Sequence, residues 1–193
     1  MAYTEIDNPE IYFQCKTYTG DGNDNRAITF DGSEDMQPNF LWFKNRGATA
    51  WHNIYDSVRG ANKAIASNAN NGEESRSDTL DSFDSNGFTV GNDTSQSPNG
   101  LNTNASTNTY VSWAWKAGTT SGIAGSADIT PNAYSFNQTA GFSIVTYNGT
   151  DVNGNTVLHG LGAVPYFMIV KRRVSNGYDW IVYHKDDVAG LYL

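Results

Sequence analysis

A chain of 193 residues with a net charge of −8 and a sequence pI near 4.6 does not suit a partner held by phosphate neutralisation, which needs Lys and Arg gathered on one face. Nucleic acid is therefore not expected as a ligand. Cys15 is the single cysteine, which excludes an intramolecular disulfide and a Cys-based zinc site. Aromatic residues make up 13% of the chain beside 19 glycines, and Asn, Ser and Thr crowd between the apolar runs, so composition points to many short strands joined by polar turns.

Met1-Ala2-Tyr3-Thr4-Glu5-Ile6-Asp7 has neither a basic n-region nor an apolar h-region, so a secretory signal is not expected and synthesis in a cytosol is. Tyr12 to Lys16 reads as a strand that buries Cys15 as a small hydrophobe. The apolar run Phe40 to Phe43 follows Pro38, which fixes strand entry without needing a ladder hydrogen bond; the run is expected to be buried on both faces. Trp51 to Tyr55 gives another aromatic strand, with a short helical turn after Ser57 and a polar loop over 66–82. Ser85 to Val90 and Thr109 to Lys116 alternate with period two, placing Tyr110, Ser112 and Ala114 on one face and Val111, Trp113 and Trp115 on the other. Residues 121–139, rich in Gly, Ser and Thr, are expected to form a linker. The longest apolar run, Val164 to Val170, is expected as a second central strand and is too short to cross a bilayer, so no membrane contact is expected.

The chain repeats itself. Thr17-Tyr18-Thr19-Gly20 returns as Thr146-Tyr147-Asn148-Gly149, 129 residues later. The loop Asp21-Gly22-Asn23-Asp24-Asn25 returns at Asp151-Val152-Asn153-Gly154-Asn155, the Pro38 run at Pro165, and Trp51 to Tyr55 at Trp180 to Tyr183. Four features in one order at nearly constant spacing indicate an internal duplication. The predicted fold is all-β, with antiparallel β-sandwich-like units built from a duplicated strand-loop-strand-Pro-strand motif and very little helix. Residues 1–120 form an N-terminal β domain, 121–139 the linker, and 140–193 a second copy. That copy reaches only Leu191-Tyr192-Leu193, so it is expected to be incomplete and to take its missing strands from elsewhere, such as a neighbouring subunit.

No constellation for catalysis stands out. His52, His159 and His184 lie near no nucleophile elbow, and no H-E-x-x-H run occurs. His159-Gly160-Leu161-Gly162 lacks the lysine and following helix of a phosphate loop and is expected to be a tight turn with positive φ. The loops at Asp21 and Asp151 begin like calcium loops, but the sixth and twelfth positions are Arg26 and Gly32 in one and Thr156 and Gly162 in the other, so β-turns are expected. The expectation is a protein that is not an enzyme and holds no cofactor or metal. Trp51, His52, Tyr178 and Trp180 are the candidate glycan or partner contacts, Tyr178 because Ser175-Asn176-Gly177-Tyr178-Asp179 reads as a hairpin tip.

Four phrases stand together: Asp35 to Arg46, Tyr55-Asp56-Ser57-Val58-Arg59-Gly60, Tyr110 to Gly118, and His159 to Pro165. With them nearly the whole chain resembles virion structural proteins of marine tailed bacteriophages, usually labelled tail fibre or uncharacterised structural protein. The resemblance implies a virion protein made in the host cytoplasm, tail-associated as a fibre or fibre anchor. Its partners would be other copies of itself and neighbouring virion proteins, with host surface glycan as a further candidate, and the resemblance transfers no catalytic residue. A capsid decoration or head fibre protein and a lectin-like adhesin for host polysaccharide are the rival expectations.

Overall fold

The structure, a computed structural model, describes residues 6–92 and 102–186. The end of the second copy, including Leu191 to Leu193, lies outside the described residues. Asn8 caps a single 3-10 turn, Pro9–Ile11, by accepting the Glu10 N–H at 3.0 Å. Strands follow in the order β1 (Phe13–Thr19), β2 (Arg26–Thr29), β3 (Phe40–Asn45), β4 (Asn53–Asp56), β5 (Gly60–Ala66), β6 (Glu74–Ser75), β7 (Leu80–Asp84), β8 (Gly87–Val90) and β9 (Thr109–Trp115). Four more, β10 (Ala133–Asn137), β11 (Phe142–Thr146), β12 (Phe167–Val170) and β13 (Ile181–His184), complete the described chain. All thirteen pair antiparallel, so the fold is the expected all-β one.

Two sheets make the sandwich. Six strands run in the order β1-β9-β3-β4-β5-β6, and three run β2-β8-β7. The inner face of β3 carries Leu41 and Phe43, and that of β9 carries Tyr110, Ser112 and Ala114, all buried. They meet Ile28, Leu80, Phe88 and Val90 from the three-stranded sheet, with Phe30, Met36 and Tyr55 filling the core. Each fully buried apolar side chain contributes about 1.5–3 kcal/mol, so this cluster is a main source of the sandwich's stability.

The alternation expected for β9 is present. The both-faces burial expected for Phe40 to Phe43 is not, because β3 lies in a two-layer sandwich and its even positions, Phe40 and Trp42, turn to the outer face and are half-buried. Cys15 also departs from expectation. On β1 the inward positions are even, so buried Gln14 points in and Cys15 is exposed. Gln14 is tolerated there because its amide is satisfied, donating to the carbonyls of Glu10 and Glu34 and accepting from Gly32 N–H. The region after Ser57 is a non-helical turn, and 66–82 is not a continuous loop, since β6 and the start of β7 fall inside it. Likewise β10 occupies the last part of 121–139 and hairpins with β11, so that stretch is only partly a connector.

The Tyr55-to-Gly60 phrase closes the β4–β5 turn with one buried cation. Asp56 accepts the backbone N–H groups of Val58 and Arg59, and its other oxygen pairs with Arg59 Nε at 2.5 Å. Arg59 donates further to the carbonyls of Ile54 and Lys63 and to Glu73. Both Asp56 and Arg59 side chains are 5% exposed, so removing one leaves a buried, uncompensated charge. Arg59→Ala is expected to cost about 3–5 kcal/mol, read as a lower urea midpoint with an unchanged m-value.

Candidate functional site

The surface that stands apart from the packed sandwich is the hairpin of β12 and β13. Its strands pair from Phe167↔His184 to Val170↔Ile181. In the first copy β3 and β4 pair from Phe40↔Asp56. Each begins two residues after a proline, Pro165 or Pro38, so the duplication seen in sequence is also a duplication of hairpins. Burial separates them. Leu41 and Phe43 are 0% and 1% exposed, whereas Met168 and Val170 at the equivalent positions are 43% and 38% exposed. Phe167, Ile169, Ile181 and Tyr183 are exposed as well, so the apolar run 166–170 is not the buried central strand expected. No second sheet lies over this hairpin among the described residues. Met168, Val170, Ile181 and Tyr183 share one face of the hairpin, an exposed apolar surface of the kind that marks interaction sites.

The connection between β12 and β13 is anchored to the sandwich. Asn176 accepts from Gly72 N–H at 2.8 Å, Gly177 N–H donates to Asn70 at 3.0 Å, and Glu73 N–H donates to the Arg173 carbonyl at 2.8 Å. Arg173 also pairs with Glu73 at 3.0 Å. Glu73 thereby joins Arg59, in the buried turn, to Arg173, in the hairpin connection. Gly72 is required at this seam, since a Cβ there would lie 2.7 Å from the Arg173 carbonyl oxygen.

A second apolar feature lies on the outer face of the six-stranded sheet. Phe13, Phe40 and Trp115 pack together, with Trp115 4.9 Å from Phe13 and 5.5 Å from Phe40 between ring centroids. Phe142 of β11 covers them, stacked on Trp115 at 6.1 Å and edge-on to Phe40 at 5.6 Å. The signal for this stripe was the odd face of β9, but its partner Phe142 comes from the second copy and no local pattern announces that contact. The glycine turn His159-Gly160-Leu161-Gly162 does have positive φ, 77° at Gly160 and 72° at Gly162. A Cβ at Gly160 would meet the Phe136 ring at 2.6 Å.

The four candidate contact residues do not form one site. Trp51 packs against the core. His52 lines a shallow cleft of about 550 Å³ with Lys44, Arg46 and Asn68, and burial, then the Lys44 charge, lowers its pKa. Trp180 is half-buried, its indole N–H donating to the carbonyls of Ala66 and Ala69 at 3.2 Å each. Tyr178 is exposed, with the Arg172 guanidinium 4.1 Å above its ring. The 66–69 segment therefore lies between His52, whose N–H donates to Asn68, and Trp180.

The calcium-like loops are held by other means. Asp21 accepts from Asn23 N–H and from Asn104, and pairs with Arg26 at 3.3 Å. In the second copy Asn155 donates to Thr150, and Thr156 is held by Asp128. Among the described residues no three His, Cys, Asp or Glu side chains are placed to hold a metal ion. A cleft of about 530 Å³ does gather Asp78 and Asp81 with Asp24, which lies far earlier in the chain.

Trp180→Phe is expected to remove the two carbonyl contacts, costing about 0.5–1.5 kcal/mol, with faster proteolysis in 171–180 and a nearly unchanged melting temperature for the sandwich. Burial, then the charges of Asp24 and Asp78, raise the pKa of Asp81. The ionised folded form therefore carries a penalty, absent below the unfolded carboxylate range near about pH 3.9 and complete above the raised folded pKa. Asp81→Asn is expected to raise the melting temperature at pH 7, the gain vanishing as pH falls below about 3.9.

No curated protein and no solved structure matches the chain. One family model does, over residues 8–190, spanning both copies of the motif. The chain belongs to the family described as Domain of unknown function (DUF7483).

Proposed function

We propose that the chain is a structural protein of a tailed bacteriophage virion, tail-associated as a fibre or fibre-anchoring component, that acts through assembly with other virion proteins. The observation that carries this reading is the open β12–β13 hairpin, apolar on strand positions that the first copy buries. A hairpin of this kind is only marginally stable alone in water, and here it is moored to a finished sandwich through Glu73, Asn70 and Trp180. That is the construction of an assembly element, a rigid body presenting an apolar β surface. The resemblance of the Pro38, Tyr55 and Tyr110 phrases to phage virion proteins supplies the particle.

Quantitative mass spectrometry of purified virions, with immunogold labelling, tests the proposal. The chain is expected at fixed stoichiometry with label at the tail. Label on the head lattice would make it a decoration or head fibre protein, and absence from purified particles would overturn a virion role.

A further inference from the structure

The chain has 12 Lys and Arg side chains against 20 Asp and Glu, and most of those cations are engaged. Lys16, Arg26, Arg59, Arg76 and Arg173 each pair with a carboxylate. Lys63 donates to Ser75, and Lys171, Arg172 and Lys185 lie over aromatic rings. Lys44, Arg46 and Lys116 are left with no side-chain partner among the described residues. Of these, Lys44 and Arg46 line one cleft, the one of about 550 Å³ that also holds His52.

That cleft is built on the end of β3. Phe43 pairs with Asn53, so continuing the register sets His52 opposite Lys44, on the outer face that carries Trp42 and Trp113. Buried Asn45 holds the turn after β3 by accepting the Gly47 and Ala48 N–H groups at 2.9 and 3.0 Å. Asn68 accepts the His52 N–H at 2.8 Å, and Ser67 N–H donates to the His52 carbonyl at 2.8 Å. With its side-chain oxygen engaged, Asn68 adds an amide donor to the lining, beside the Thr49 hydroxyl. Among the described residues no carboxylate lines the cleft.

Two unpaired cations in one cleft repel each other, and β3 is a central strand, so they guard no sheet edge. Their joint field draws negative charge to the cleft. A long polyanion would also meet the net charge of −8 carried by the chain as a whole, so the cleft suits one oxyanion on a small molecule. Its size falls within the range of about 300–1,000 Å³ usual for such sites. Trp42 and Trp113, half-buried and with ring centroids 6.2 Å apart, occupy the next row of the same face. The Trp42 indole N–H donates to Ser67 at 3.1 Å, which fixes that ring. Indole surface beside amide and hydroxyl donors suits a ligand ring that is apolar on its C–H face and polar at its rim.

We propose that the cleft of Lys44, Arg46 and His52 is a binding site for an acidic sugar, its carboxylate held by the two cations and its ring set toward Trp42. Arg46 offers a planar pair of donors and Lys44 a point charge, while Asn68 and Thr49 take ring hydroxyls. Burial, then the Lys44 charge, holds the His52 imidazole below its ordinary range. Lys44 and Arg46 are the charged groups that line the cleft with it, so a carboxylate seated between them raises that pKa. None of these residues belongs to the β12–β13 hairpin, and the inference stands whether or not the chain works in a virion.

Titration of the intact chain with methyl glucuronide at low ionic strength, followed by NMR, tests the site, with methyl glucoside and inorganic phosphate as comparison ligands. Glucuronide is expected to shift the amide signals of Arg46, Gly47, His52 and Asn68 saturably and to raise the His52 pKa. Glucoside, which has the ring without the charge, is expected to leave them unmoved. Phosphate, which has the charge without the ring, is expected to bind at least about tenfold more weakly. Lys44→Gln and Arg46→Gln break no ion pair, and each is expected to weaken glucuronide binding about tenfold at an unchanged melting temperature. Lys116→Gln, outside the cleft, is expected to leave binding unchanged. Four results would overturn the proposal: no saturable shift with glucuronide, equal binding of glucoside, phosphate binding as tight as glucuronide, or a loss in Lys116→Gln equal to that in the cleft variants.

Discussion

The insertion of β9 between β1 and β3 is the constraint on which the rest of the fold depends. Lys16 meets Ser112 and Phe43 meets Ser112 from the other side, so strands from the two ends of the first copy are joined only when a late segment arrives. Both faces depend on it. Inward, Tyr110, Ser112 and Ala114 complete the wall against Phe88 and Leu80; outward, Trp113 and Trp115 complete the aromatic stripe with Trp42, Phe13 and Phe40. The segment before it delivers Asn104 to the first loop and Thr103 to the Thr79 carbonyl. Such non-local pairing pays loop-closure entropy before any contact rewards it.

The same dependence explains why the second copy looks so different while its sequence looks so similar. β11 and the β12–β13 hairpin each form from local contacts, and each is moored to the finished sandwich rather than to the other. Phe142 docks on Trp115, and the 171–180 connection docks on Gly72, Glu73 and Ala66. The first copy therefore holds β11 and the β12–β13 hairpin in place through these contacts.

Strand existence was legible in the sequence wherever one face is polar and the other apolar, as at Tyr110 to Trp115. The repeat was legible because its markers, a proline two residues ahead of a strand and a Tyr-x-Gly strand end, are local. Burial was not. Phe40 to Phe43 and Phe167 to Val170 are the same kind of run, and only the presence of a covering sheet makes one core and the other surface. β5 escaped notice because Ala61-Asn62-Lys63-Ala64 lacks the β-branched and aromatic residues that mark strands, and β10, although Tyr134 and Phe136 alternate on it, because it sits at the end of the Gly-, Ser- and Thr-rich stretch. The site fared in the same way: Tyr178 is read from a hairpin tip and Trp180 from its aromatic ring at a strand start, but Trp180 is turned inward by two carbonyls that no pattern in its neighbourhood announces.

An apolar hairpin with an unpaired edge invites uncontrolled pairing, and the chain counters this with charge placed on its aromatics. Lys185 lies 4.1 Å above the Tyr166 ring, Arg172 4.1 Å above Tyr178, and Lys171 5.7 Å from Trp180. All three cations flank β12 and β13 in a chain whose net charge is −8. Cations at a strand's end and over its rings disfavour stacking of like hairpins, because two copies brought together there would set like charges side by side. Local positive charge thus penalises pairing of the hairpin with a second copy of itself.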